Sequence, residues 1–346
     1  MQDNRQTRER QQGYTLLEVL ISSVILVSMI LVVTSLSKSG SDAERYASRL
    51  TRATEICQEI MDELRRGLSS SVRVFHNDAV GNAYANLLDL PATAPRIGSR
   101  LPTLRPSGIF EREPTGQQYS GNSLVFARHT WTDTYLATSG RTFNVDVYRV
   151  HAYYLRQDGD GLVAGAGIGL NFARFVSEPL ADGKQIDAIA DATDRRDVLR
   201  LLHAGRTTTD LMTQPDPVHA TLEVVWRLGE DPATTGTLRQ VSAGGTLSNS
   251  RGATWKLLRD ASRSNDGLVF YRHHSVATNW APPAYGVGQF SQIDNSGDGF
   301  PHGFETQLIG PASARQLLLR MCVVSTNRAG HRAYARQEII QDCRDI

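Results

Sequence analysis

The chain has 346 residues, about 40% of them apolar, and a formal net charge of +1, so it is long enough for one large domain or two small ones and carries no strong field of either sign. That balance argues against a nucleic-acid partner, which would call for a basic patch or stripe. The many arginines beside only Lys38, Lys184 and Lys256 fit a bias in genomic base composition better than an arginine-reading function.

Met1 to Gly13 is short and polar, with Arg5, Arg8 and Arg10 set against Asp3 and Glu9. Tyr14 to Leu36 is apolar and holds a single charge, Glu18. As a helix it would rise roughly 34 Å, enough to cross the hydrocarbon core of a bilayer. An ionised side chain in such a span costs a few kcal/mol and calls for a named partner. An ordinary secretory signal is cut after its apolar region, and no convincing small-x-small site follows Leu36. A cut after Gly13 instead keeps the span and creates an α-amine close to Glu18. The basic residues ahead of the span fit a cytoplasmic leader.

The run Gly13-Tyr14-Thr15-Leu16-Leu17-Glu18 resembles the processing site of type IV prepilins and type II secretion pseudopilins, with Tyr14 where these proteins usually carry Phe. The resemblance implies that residues 1–13 are a leader removed by a membrane-embedded aspartyl prepilin peptidase, which then methylates the amine of Tyr14. It also implies that Glu18 meets the terminal amine of a neighbouring subunit as residues 14–36 leave the bilayer for the core of a filament. Opposite charges in a dry bundle relieve each other's desolvation, and removing one strands the other.

Ser37-Lys38-Ser39-Gly40 weakens the helix, and Ser41-Asp42-Ala43-Glu44 reads as a capping box opening a second, amphipathic stretch over residues 37–68. Its apolar stripe is Ala43, Tyr46, Ala47, Leu50, Ala53, Thr54, Cys57, Ile60, Met61, Leu64 and Leu68, and Gly67 is placed to end it. Such a stripe predicts a helix packed on a sheet.

From Ser69 onward short strand-like runs alternate with Gly, Pro, Asn and Asp clusters. The predicted strands are 71–75, 122–128, 143–155, 170–176, 220–228, 267–272, 316–326 and 333–340, with a hairpin loop at Asn327-Arg328-Ala329-Gly330. Residues 91–114 read as a Pro-rich loop, and 182–202 as one short helix. The predicted class is α+β and pilin-like: a long amino-terminal helix on an antiparallel β-rich head, residues 69–346, outside the cytoplasm. The order of parts resembles the larger minor pilins and minor pseudopilins of the PilW and PulJ (GspJ) group, on residues 122–128, 148–156 and the closing pair of strands.

Three cysteines, Cys57, Cys322 and Cys343, leave one over after any pairing. The resemblance suggests a carboxyl-terminal Cys322–Cys343 bond. A hairpin about 327–330, however, puts Cys322 opposite roughly Ala335 and Cys343 about 27 Å farther along, beyond disulfide reach. Cys57 with Cys343 or with Cys322 competes, as does the reading of Cys57 as a small core residue.

Asp294-Asn295-Ser296-Gly297-Asp298-Gly299-Phe300-Pro301-His302-Gly303-Phe304-Glu305 follows the spacing of an EF-hand loop. Asp294, Ser296, Asp298, the Phe300 carbonyl and Glu305 would converge on one Ca2+. Pro301 departs from the pattern, and a solvated Asp-Gly turn is the competing reading. Asp158-Gly159-Asp160-Gly161 reads as a hairpin turn, and Gly165-Ala166-Gly167-Ile168-Gly169 does not match a dinucleotide loop. Adjacent His273 and His274 would face opposite sides of a strand. No nucleophile elbow or zinc motif is present, so no enzyme is expected.

The functional expectation is a minor type IV pilin that helps initiate or cap pilus assembly. The alternatives are the minor pseudopilin of a type II secretion system and a calcium-dependent tip adhesin. Its partners would be prepilin peptidase, other minor and major pilins and the inner-membrane assembly platform. Its place would be the bacterial inner membrane with the head in the periplasm, then the pilus surface.

Overall fold

The computed structural model describes residues 15–86, 100–111, 120–158, 169–177, 180–204, 223–226, 254–256, 274–277, 303–326 and 332–343. Its first element is one helix, α1, Leu16–Ser69, 54 residues long. By contacts the chain divides into residues 1–49 and residues 50–346.

In the first unit every described residue up to Ser48 is exposed, and the large apolar side chains from Leu16 to Leu36 keep half or more of their surface open. The most apolar 18-residue window has a mean hydropathy of 2.8, enough by length and composition to cross a membrane. Hydroxyls in this stretch are satisfied within the helix: Ser23 donates to the Leu20 carbonyl, Ser28 to Val24 and Thr34 to Ile30, each at 2.8 Å. Gly40 sits inside the helix with nothing within 4 Å of where a Cβ would stand, and the expected capping box at Ser41 does not form. The cost of one helical Gly, about 1 kcal/mol, does not break the hydrogen-bond ladder. Without a break, Ser41 has no orphan amides to cap.

In the second unit, residues 50–69 of α1 bury Ala53, Ile56, Cys57, Ile60, Met61, Leu64, Gly67 and Leu68, following the predicted stripe at three- and four-residue spacing. Gly67 does not end the helix; a Cβ there would come within 2.8 Å of Phe126 Cζ, so glycine admits the ring. The end comes at Ser69, where the hydroxyls of Ser69, Ser70 and Ser71 donate to the carbonyls of Arg66, Gly67 and Leu68 at 2.9, 3.2 and 2.8 Å. These bonds satisfy three of the carbonyls that a helix end leaves open.

The remaining elements in chain order are β1 Ser71–Phe75, α2 Ala79–Asn86, β2 Thr103–Leu104, β3 Ser123–Leu136, β4 Thr142–Asp158, β5 Gly169–Val176, β6 Leu180–Asp182, α3 Gly183–Asp187, α4 Ala192–Ala204, β7 Glu223–Trp226, β8 Thr254–Lys256, β9 His274–Val276, β10 Phe304–Ile309, a 3-10 turn Ala312–Ala314, β11 Arg315–Thr326 and β12 Arg332–Cys343. They form two sheets. One runs β1-β3-β4-β5-β8, with β6 joining β4 to β7; the other runs β12-β11-β10-β2, with β9 beside β11. Pairing is antiparallel except at β10–β2 and β6–β7. The architecture is the expected α+β arrangement of a long apolar helix followed by an antiparallel head. The reading of 182–202 as a single helix gives way to β6, α3 and α4, and the predicted strand 267–272 lies outside the described residues.

Side chains from residues 50–69 of α1 and from both sheets share one core, with Leu64, Leu68, Phe126, Tyr153, Phe172, Phe304, Leu319 and Met321 among its members. A smaller cluster, Tyr135, Val145, Val147, Ile186, Ile189 and Val198, seats α3 and α4 on the far half of the β3–β4 hairpin. Asp191 caps α4 through the amides of Thr193 and Asp194, at 2.7 and 3.1 Å. Buried Asp197 accepts from the amide and hydroxyl of Thr138, which fixes the hairpin turn to the helix.

Candidate functional site

Glu18 lies in the first turn of α1, and its carboxylate is engaged by its own chain. Glu18 Oε2 accepts from the Thr15 amide at 2.9 Å and from the Thr15 hydroxyl at 3.0 Å, while the Glu18 amide donates to Thr15 Oγ1 at 3.3 Å. This reciprocal pattern is a capping box, Thr at the N-cap and Glu at the third helical position. It answers part of the question posed by a charge in an apolar span, because two donors meet the carboxylate before any neighbour arrives. The carboxylate also stands at the positive end of the helix dipole. Thr15 carries this contact and is not among the expected site residues, although T-x-x-E ahead of an apolar run is a readable signal. Gly13 and Tyr14 lie outside the described residues.

A second polar contact secures residues 50–69 of α1 to the first sheet. Glu63 Oε1 accepts from Arg174 Nη1 at 2.8 Å and from the Tyr153 hydroxyl at 3.2 Å. Burial, then the Glu63 charge, pushes the Tyr153 phenol well above its ordinary range. Next to it His151 stacks on Phe126 with ring centroids 5.4 Å apart and planes 4° from parallel. Burial first, then Arg128, Arg174 and Arg149, hold the His151 imidazole down to about 4, so it is neutral at pH 7.

All three cysteines are buried free thiols. Cys57 faces the second sheet, as expected, with Sγ 3.7 Å from the Met321 carbonyl. Cys322 is the next residue along β11. Alternation turns it to the face opposite Met321 and Val323, which share the core with the helix, so the backbone of the sheet stands between it and Cys57. Cys343 pairs in register with Arg315 and donates to its carbonyl at 3.7 Å. It therefore lies seven residues from Cys322 along β11, about 23 Å at a strand's rise, out of disulfide range. The expected partner of Cys322 is roughly Ala335; the register gives Arg336, one residue on. None of the three candidate pairings is formed. Burial raises the Cys57 thiol to about 12. Burial first, then Cys57 across the sheet, raises that of Cys322 further still.

Of the calcium-loop residues, Asp294, Ser296, Asp298 and Phe300 lie outside the described residues. Glu305 is buried in β10, where Arg320 Nη1 approaches it at 3.5 Å while Arg320 Nε holds Glu338 at 2.7 Å. The residue assigned to close a metal shell thus belongs to a strand and already faces a cation. Among the described residues no cluster of three or more His, Cys, Asp or Glu side chains is placed to hold a metal.

A long exposed apolar helix, opened by a capped carboxylate, precedes an α+β head. Residues 8–34 match the prokaryotic N-terminal methylation motif, a span that includes Gly13, Tyr14, Thr15 and Glu18. Over that amino-terminal segment the chain is similar to type IV pilins and pseudopilins. No curated protein and no solved structure matches the chain.

Proposed function

We propose that the protein is a minor type IV pilin: a non-enzymatic subunit that is cut after Gly13, methylated on Tyr14, and inserted among other pilins to initiate or cap a pilus at the inner-membrane assembly platform. The observation that carries the reading is the Thr15–Glu18 capping box at the head of an apolar helix that none of the described residues covers. A helix with its charge satisfied in this way rests in lipid, and its uncovered face is available to the helices of other subunits. The head supports the low-copy role by its size, roughly 280 residues counted from Ser69. In this reading the head lies in the periplasm and then on the cell surface.

Mass spectrometry of the mature protein tests the proposal. The expected product begins with N-methyl-Tyr14. An intact Met1, or a cut beyond Leu36, overturns it. The corresponding minor pseudopilin of a type II secretion system shares the capped carboxylate, the span and the head; a deletion strain that keeps its pili but retains secreted enzymes would replace the first reading with this one.

A further inference from the structure

Past Arg128 the strand β3 has an open side. β1 covers its outer edge only over residues 125–128, and over residues 131–135 it pairs with β4 alone among the described residues. The parity of the ladder tells which backbone groups that edge offers. The Ala137 amide donates to the Arg141 carbonyl at 2.9 Å, so Ala137, Tyr135 and Asp133 turn their amides and carbonyls toward β4, while Thr134 and Thr132 turn theirs away. The Thr134 amide agrees with this parity: its acceptor is not on β4 but is Asp133 Oδ1, at 3.0 Å.

That bond is a local substitute for a neighbouring strand. Among the described residues nothing plays the same part at the Thr132 amide or at the carbonyls of Thr132 and Thr134, and both residues are exposed. The edge is also held in shape. Thr132 Oγ1 donates across to Asp146 Oδ1 at 2.6 Å, and Thr134 Oγ1 to Asn144 Oδ1 at 3.0 Å, so the ribbon needs little ordering before it pairs. Residues 131–135 are Trp, Thr, Asp, Thr and Tyr, four of them good strand formers, with no Pro or Lys to blunt the edge.

The side chains name the occupant. Trp131 and Asp133 share the face of β3 that carries Tyr135, and Trp131 is still 37% exposed there. A strand added antiparallel to β3 sets one side chain opposite Asp133 and, two residues later, another opposite Trp131. When its carbonyl takes the Thr134 amide, the Asp133 carboxylate is released to meet a cation. β3 has no basic residue between Trp131 and Leu136, so a second copy of this edge supplies none, and Arg141 at the turn is held by Asp194 at 3.3 Å. We propose that residues 131–135 capture an extended segment of a different polypeptide by strand addition, with a basic residue opposite Asp133 and an apolar one opposite Trp131. One copy of the chain suffices for such a site, and the site does not depend on processing at Gly13.

Fluorescence anisotropy of a dye-labelled peptide, Thr-Thr-Lys-Thr-Leu-Thr-Thr, with the full chain in non-ionic detergent micelles tests the capture. Wild type is expected to bind it, and amide hydrogen exchange at Thr132 and Thr134 to slow. In this register the amides of the two threonines flanking Lys face β3, whereas those of Lys and Leu face away. N-methylation of the first pair should weaken binding roughly tenfold or more, and N-methylation of the second pair should change it little. Exchanging Lys for Glu in the peptide should cost about threefold or more. Thr134→Pro removes an outward amide and leaves the ladder to β4 intact, so the folded variant should lose binding while its melting temperature changes little. No binding to wild type, equal effects of the two methylation patterns, a preference for Glu over Lys, exchange slowed only at other residues, or a folded Thr134→Pro chain that binds as wild type overturns the proposal. The methylated peptides need no variant, so they decide the matter even where Thr134→Pro does not fold.

Discussion

Glu18 and Thr15 share one job before any filament exists. Replacing Thr15 with Ala removes the hydroxyl from both sides of the capping box and should cost the first turn of α1 about 1 kcal/mol. Amide hydrogen exchange at Leu17 and Glu18 in micelles should speed up, while the middle of the span is unchanged. Glu18→Val makes the span more comfortable in lipid and deletes its charge, so cleavage should persist while the amount recovered in sheared filaments falls; unchanged recovery would deny the carboxylate an assembly role. The pair also shows how a sequence reading can pass over a local partner. A misplaced charge directs attention to a future amine, whereas Thr15, three residues back, is the nearer answer. His151 makes a different residue-scale prediction. Its folded pKa of about 4 lies below the unfolded value near 6.5, so the unfolded chain binds the extra proton between those limits. Stability should be full above about pH 6.5, decline as pH falls toward about 4, and flatten below it as far as this group is concerned. In His151→Phe, which keeps the stack on Phe126, thermal melts should lose that slope.

Two glycines on the same helix carry opposite expectations. Gly40 is exposed in a helix interior with nothing within 4 Å of an added Cβ, so Gly40→Ala should stabilise α1 by up to about 1 kcal/mol. At Gly67 the same methyl meets Phe126 at 2.8 Å inside the core, and Gly67→Ala should destabilise the head by about 1–3 kcal/mol. Circular dichroism melts of the two variants read both signs. Legibility at this scale follows chemistry. The runs at 71–75, 143–155 and 316–326, rich in Val, Leu, Phe and Tyr, are β1, β4 and β11 almost residue for residue. β10 is absent from the predicted strands because Glu305, Thr306 and Gln307 are polar yet buried, each answered from another segment: Glu305 by Arg320, Thr306 by the Ser123 carbonyl, and Gln307 by Ser120 and the backbone of Glu111. Periodicity of apolar residues does not register a strand whose polar groups are satisfied by other parts of the chain. The apolar stripe of residues 50–68 is legible for the converse reason, since its buried face is apolar throughout.

At the scale of the whole molecule, one core joins a helix near the start of the chain to strands near its end, and the cysteines record that distance. Alkylation of the native protein should leave Cys57 and Cys322 unmodified, and all three cysteines should label once the fold is opened in denaturant. Peptide maps without reductant should show no cross-link among them; a Cys322–Cys343 link would require a register other than Arg315 opposite Cys343. With its pKa near 12, the folded Cys57 thiol is ionised in only about one molecule in 100,000 at pH 7, and the thiolate is the form that exchanges. Cys57 is sheltered by late strands, since its neighbour in the core, Met321, follows it by 264 residues. In an oxidising compartment its safety is therefore a matter of timing: the thiol is open to oxidants from the moment the helix emerges until the last strands of the chain close over it. The speed of folding, not the stability of the finished head, then decides how many copies escape mispairing.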